Sequence, residues 1–410
     1  MRPARLAASA LLVFCAGVVA VLVAPPAAQA ATLTQVTGFG SNPGNLSMYA
    51  YWPDGLGSGA PLVVAMHGCT QTATDYYNNS GWPKFADQWR FTVVFPQQSS
   101  ANAANACFNW FTNGDVGRGQ GEALSIRQMV SYAVSTYGAN PSRVYVTGLS
   151  AGAAMTAVML ATYPDVFAAG SIVAGIPYGC APATSPYTCM SPGVDKTPAQ
   201  WGTLVRNAFS GYGGPWPRVS IWHGTSDFIV NTANANESRD QWTNVWGIPA
   251  TPTSTGSLPA GTSVENYDSG GQTVVRVYRV SGMGHGTPVD PGSAADQCGA
   301  AGAYFLDTIC SAYRDALFFN LNGSTPPSPS ESTPPSPSPS PSPSPSPSPS
   351  AGPCFTASNY AHTVAGRAHQ SLGQTYANGS NQAMGLWNTF TTHTLRQTGT
   401  NVYVLADGQC

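Results

Sequence analysis

Residues 324–350 are a Pro-Ser repeat, nearly pure after Thr333, and they divide everything else in the chain. A tract without large apolar side chains cannot bury a core, and its prolines favour extended polyproline II. At about 3.1 Å per residue it can hold two modules up to about 80 Å apart. Such a spacer has no use inside one domain, so two folded units are expected, with boundaries near Asn322 and Pro353. The larger takes residues 31–322, the linker 323–352, and a small C-terminal module 353–410. A module of that size cannot rely on its core alone. A staple between its first and last cysteines, Cys354 and Cys410, would offset that.

The N-terminus sets the compartment. Arg2 and Arg5 precede an apolar run from Leu6 to Val23, then Pro25-Pro26 and Ala28-Gln29-Ala30. A positive start, an apolar stretch and a small-residue exit make a signal peptide over residues 1–30, cut before Ala31. No later run is apolar enough to span a bilayer, so no membrane attachment is expected after cleavage. Of nine cysteines one, Cys15, belongs to the signal. The remaining even number in an oxidising compartment reads as disulfides. Spacing suggests Cys180–Cys189, Cys298–Cys310 and Cys354–Cys410, which leaves Cys69 for Cys107. There is no CxxC pair to suggest zinc, and no metal or organic cofactor is implied. Charged residues are 8% of the chain and the net charge is −2, which argues against nucleic acid or an acidic membrane as partner. A monomer is expected.

Residues 32–320 alternate strand and helix signals, the pattern of an α/β domain around a mainly parallel sheet. Buried-strand runs occur at 61–67, 91–95, 169–174 and 218–222, and an alternating late strand at 274–280. Apolar spacing predicts a helix over 124–137 and a closing helix marked by Phe305, Ile309, Tyr313 and Leu317. Within this frame, Arg143-Val-Tyr-Val-Thr-Gly-Leu-Ser-Ala-Gly152 reads as strand, tight turn and helix start, the setting of a nucleophile elbow on Ser150.

A serine hydroxyl needs a base, and the base needs a partner to fix its tautomer. In α/β-hydrolases the order along the chain is serine, acid, histidine. His362, His369 and His393 lie beyond the linker, and His67 and His223 sit at strand ends. His285, in the glycine-rich loop after the last strand, is the candidate base. Asp227 follows the strand 218–222 directly, whereas Asp240 and Asp268 lie farther along. Two backbone N–H groups should receive the developing oxyanion. One is Ala151, after the nucleophile. The other is Cys69, in the turn after the first buried strand, which His67 is expected to brace.

The set His67-Gly-Cys-Thr-Gln71, Cys107-Phe-Asn-Trp-Phe111, Arg118-Gly-Gln-Gly-Glu122, Gly148-Leu-Ser-Ala-Gly152, His223-Gly-Thr-Ser-Asp227 and Gly282-Met-Gly-His285 resembles the extracellular polyhydroxyalkanoate depolymerase esterases. Related secreted feruloyl and acetylxylan esterases share these motifs. The resemblance implies an α/β-hydrolase fold, a triad of Ser150, Asp227 and His285, and an oxyanion hole of Cys69 and Ala151 N–H. It also suggests that Trp110 lines the substrate groove, the alternative being a core tryptophan beside a disulfide. Residues 356–362, 365–369, 376–381 and 384–388 resemble the C-terminal substrate-binding domain of short-chain-length depolymerases, with Trp387, His362 and Arg367 as candidate contacts. The expected partner is an insoluble polyester such as poly(3-hydroxybutyrate). The alternative is a feruloyl or acetylxylan esterase whose tail binds plant cell-wall polysaccharide. A catalytically dead adhesin would need a broken triad, and all three members are present.

Overall fold

The computed structural model describes residues 32–323, 353–371, 374–389 and 391–407. The expected signal peptide, the Pro-Ser tract and Cys410 lie outside the described residues. The chain divides into two compact units on either side of residue 331.

In the larger unit ten strands build one sheet: β1 (Thr34–Val36), β2 (Ser47–Tyr51), β3 (Leu62–Met66), β4 (Thr92–Gln97), β5 (Val144–Leu149), β6 (Ala169–Val173), β7 (Arg218–Gly224), β8 (Ser254–Leu258), β9 (Thr262–Ser269) and β10 (Gln272–Val280). Their spatial order is β1-β2-β4-β3-β5-β6-β7-β10-β9-β8. From β4 to β10 the neighbours are parallel, while β2 and β9 join the two edges antiparallel. The parallel strands carry unbroken apolar runs because both faces are covered. Leu62, Val64 and Met66 of β3 enter one core, and Val63 and Ala65 enter another.

Eight helices cover these faces: α1 (Ala73–Asn79), α2 (Trp82–Trp89), α3 (Gly121–Tyr137), α4 (Ala151–Thr162), α5 (Pro186–Met190), α6 (Pro198–Ala208), α7 (Ala233–Trp246) and α8 (Ser311–Phe318). Buried residues of α3, α4, α6 and α7 fill the first core, those of α1, α2 and α8 the second. The closing helix is shorter than its apolar spacing suggested. Phe305 lies on a strand of its own, Phe305–Asp307, because Cys310 caps α8 by accepting from the Tyr313 N–H. Cys69–Cys107, Cys180–Cys189 and Cys298–Cys310 are joined. Among the described residues no helix is long and apolar enough to cross a membrane.

The geometry that matters for chemistry follows from the parallel order. The segments after β3, β5, β7 and β10 all leave the same edge of the sheet, where ligands of open α/β sheets bind.

Among its described residues the smaller unit holds two three-stranded antiparallel sheets and one short helix, Asn359–Val364. Its core is Ala368, Ala377, Met384, Leu395 and Tyr403, flanked by Phe355 and Leu405. Cys354 opens the first strand of the unit.

Candidate active site

Ser150 sits between β5 and α4 at φ 55°, ψ −114°, a strained conformation for a residue with a side chain. Two backbone hydrogen bonds hold it there. Its N–H donates to Val173 O at 3.0 Å, and its carbonyl accepts the Ala154 N–H at 2.8 Å. The glycines on either side are there for space. A Cβ on Gly148 would stand 2.5 Å from the Gly152 carbonyl, and one on Gly152 would stand 2.5 Å from His67 O. Strand β3, strand β5 and helix α4 therefore meet backbone to backbone around the serine.

The turn after β3 is held by several ties. Its amide at Thr70 donates to Asn105 O at 2.6 Å, Gly68 N–H donates to Gln71 Oε1 at 2.8 Å, and Cys69 is clipped to Cys107. The Cys69 amide itself has no hydrogen-bond acceptor among the described residues. Ala151 supplies the first amide of α4, one of those a helix leaves without an internal acceptor. Behind the turn His67 is fully buried. Its Nδ1–H donates to Gly68 O at 2.7 Å, and its Nε2 accepts the Gln98 N–H at 3.1 Å. Burial lowers its pKa to about 4, so it is a neutral brace. Gln98 in turn donates through Nε2 to Glu122 Oε1, while Asn109 N–H donates to Glu122 Oε2 at 2.8 Å. Burial pushes this carboxyl up to about 8 despite those donors.

On the other side, Asp227 lies in the loop after β7. Its Oδ1 accepts the Ile229 and Val230 N–H groups at 2.9 Å each, and its Oδ2 accepts His285 Nδ1–H at 2.7 Å. His223 Nε2 bonds Val230 O at 2.9 Å and stands 3.4 Å from Asp227 Oδ2. Burial opposes ionisation of Asp227, yet the hydrogen bonds from His223 and His285 outweigh it and hold the carboxyl below the usual carboxylate range. A carboxylate there fixes the proton of His285 on Nδ1 and leaves Nε2 as the free base. The base loop is laced to the acid loop. Ser226 N–H donates to Met283 O at 2.9 Å and Gly282 N–H to Thr225 Oγ1 at 2.8 Å; a Cβ on Gly224 would collide with the Met283 carbonyl.

Ser150, His285 and Cys69 line one cavity of about 140 Å³, together with Leu149, Met190, Ile229 and Tyr304. It has an apolar wall and a polar end, the arrangement of a small-molecule site. Trp110 is placed elsewhere. It is 7% exposed and packed in the first core, edge-on to Phe111, so its indole supports the Cys107 segment and does not line this cavity. In the smaller unit Trp387 is 43% exposed and pairs with exposed Tyr360 at 5.3 Å between ring centroids. His362 is fully buried there, bonded to His393 O at 2.9 Å and to Arg367 Nε–H at 3.0 Å; burial makes His362 part of the scaffold, while Arg367 is half-buried beside it.

Sequence reasoning did not find Met190, Ile229 and Tyr304, nor the Glu122–Gln98–His67 chain. Glu122 was within reach: a carboxylate opening an apolar helix stands out when charges are 8% of the chain.

Residues 46–268 match the family model described as Esterase PHB depolymerase. The chain is 56% identical over 293 residues to poly(3-hydroxyalkanoate) depolymerase C of Paucimonas lemoignei, covering 71% of this chain and 70% of that protein. It is 39% identical over 285 residues to feruloyl esterase B of Talaromyces stipitatus, covering 68% and 78%. Among solved structures, an acetyl xylan esterase from Aspergillus awamori superposes with a TM-score of 0.60 at 30% identity, over 71% of this chain and 99% of that one. With more than half of its length matched by the family model, and a 56% identical relative aligned over most of both chains, the chain belongs to the Esterase PHB depolymerase family.

Proposed function

We propose that the chain is an exported serine esterase that cuts poly(3-hydroxybutyrate)-type polyesters into short oligomers. The observation that carries this is the cavity lined by Ser150, His285 and Cys69, with His285 bonded to Asp227. Ser150 Oγ attacks the ester carbonyl while His285 Nε2 takes its proton. Asp227 holds the imidazolium through Nδ1–H, and the Cys69 and Ala151 amides donate to the oxyanion. Collapse expels the alcohol end of the polymer, which receives the proton from His285. Water then repeats the sequence on the acyl-enzyme and frees Ser150.

The apolar wall of Leu149, Met190, Ile229 and Tyr304 suits a short aliphatic acyl unit. The disulfides suit an oxidising compartment outside the cytoplasm. The smaller unit is a tethered binder in this reading, with Trp387 and Tyr360 as contacts to the solid. It raises the local concentration of the catalytic unit at the surface without adding contacts to the active site. The second reading, an esterase of acetylated or feruloylated xylan, is favoured by the identity to feruloyl esterase B and the superposition on the acetyl xylan esterase. Clearing of an opaque poly(3-hydroxybutyrate) suspension, run beside acetate and ferulate release from xylan, separates the two. Release from xylan with no clearing of polyester would replace the first by the second.

A further inference from the structure

Among the described residues of the larger unit, the large hydrophobic side chains left exposed are four: Tyr187, Phe228, Ile229 and Tyr304. All belong to segments that build the active-site cavity. Ile229 and Tyr304 line it, Phe228 precedes Ile229, and Tyr187 lies one turn before the lining residue Met190 on α5. Residues spaced three apart share a helix face. A folded unit of this size exposes scattered apolar residues without consequence. Concentrating all the large ones around a single opening is a different matter, since clustered apolar surface marks an interaction site.

Phe228 is 90% exposed, yet it is held in place. Asp227 Oδ1 accepts the N–H groups of both Ile229 and Val230, and His223 holds the Val230 carbonyl, so Phe228 rides at the apex of a closed turn. That turn is clamped to α5. Asn231 N–H donates to Met190 O at 2.8 Å, and Asn234 Nδ2 donates to Cys189 O at 3.1 Å. Cys189 is fixed by its disulfide to Cys180. The acid that orients the base and the exposed ring thus belong to one rigid turn. No residue in 186–190, 228–234 or 302–306 carries a charge, so the opening offers little to a charged or strongly hydrated partner.

We infer that this apolar rim is a second polymer contact, by which the catalytic unit itself seats on a solid aliphatic polyester with Phe228 and Tyr187 against the surface. It rests on the polyester reading and adds to it a division of work: the smaller unit brings the chain to the solid, and the rim presents the cavity to a polymer strand.

The test uses the full chain with Phe228→Ser and Tyr187→Ser combined, neither residue lining the cavity. Turnover of soluble nitrophenyl butyrate should stay within about twofold of wild type, because the apolar wall is intact. On a poly(3-hydroxybutyrate) film, the rate per adsorbed molecule should fall about tenfold or more, the scale of a lost aromatic contact. Phe228→Leu with Tyr187→Leu should restore most of that rate, since apolarity and not the ring is required. An unchanged film rate per adsorbed molecule overturns the inference and leaves the polyester reading standing. An equal loss on the soluble ester also overturns it, by assigning the effect to Asp227. A wild type inert on the film but active on xylan removes the polyester reading and this inference together.

Discussion

Around Ser150 the backbone is packed so closely that neither Gly148 nor Gly152 has room for a Cβ; around His285, at the ends of β7 and β10, one such close approach at Gly224 is joined by a set of polar ties. There Asp227 accepts from His285, Ile229 and Val230, and the two loops exchange further hydrogen bonds through Ser226, Met283, Thr225 and Gly282. Steric placement is indifferent to protonation and tolerates no added atom. Hydrogen-bonded placement tolerates side-chain variation but depends on the ionisation of Asp227. In the proposed triad the nucleophile is thus set by shape, and the base by charge together with the close approach at Gly224.

Mutations can separate these two. The largest effect belongs to the chemistry itself. Ser150→Ala should lose about 10⁶ in turnover, because nucleophile and base act as a unit, while its melting transition stays near wild type. Labelling of that variant by a serine-directed covalent inhibitor would place the nucleophile elsewhere. Next, Asp227→Asn should cost about 10⁴ in kcat, the scale known when a triad acid can no longer fix the tautomer of its histidine. A loss under about tenfold would show that charge is not what holds the base. Removing both Cys69 and Cys107 should destabilise the fold by about 2–5 kcal/mol. Turnover should also fall well below the melting transition as the oxyanion turn loosens; intact turnover there would show that the turn stands without its clip. Gly148→Ala and Gly152→Ala should each cost about 1–3 kcal/mol or more from overpacking against backbone, at every pH. Denaturant unfolding at two pH values checks the independence.

The effect that unfolds only with pH is that of Glu122. Its carboxyl binds a proton more tightly folded, at about 8, than at its ordinary 4.5. The folded state therefore gains from it fully below about pH 4.5 and loses that gain as pH rises through about 8. Relative to wild type, Glu122→Gln should become progressively more favourable across that window. A stability difference that stays flat with pH would deny the shifted carboxyl.

What the sequence disclosed and what it concealed follow from the range of the interactions. The parallel strands were legible because burial on two faces leaves unbroken apolar runs, as in 61–67. The strand, turn and helix around Ser150 were legible because they are local. Asp227 and His285 were picked from chain order, and the structure brings them within 2.7 Å of each other. By contrast β8, with the sequence Ser-Thr-Gly-Ser-Leu, is largely exposed and leaves no apolar trace. The brace from Glu122 through Gln98 to His67 joins residues 24 and 31 positions apart, with no periodicity to announce it. Trp110 and His362 carry residue types that suit both a ligand face and a core, and only burial decides between them.

Gly148 and Gly152 have a further meaning for anyone sorting relatives of this chain. Their requirement is one of volume, imposed by the carbonyls of Met66, His67 and Gly152, and it persists whether or not a hydroxyl stands between them. A descendant in which position 150 had lost its serine would still need both glycines to close the sheet onto α4. Retention of the pair without the serine would mark a protein that kept its architecture for binding after giving up hydrolysis. Loss of either glycine beside an intact serine would instead mark a chain whose elbow must be built some other way.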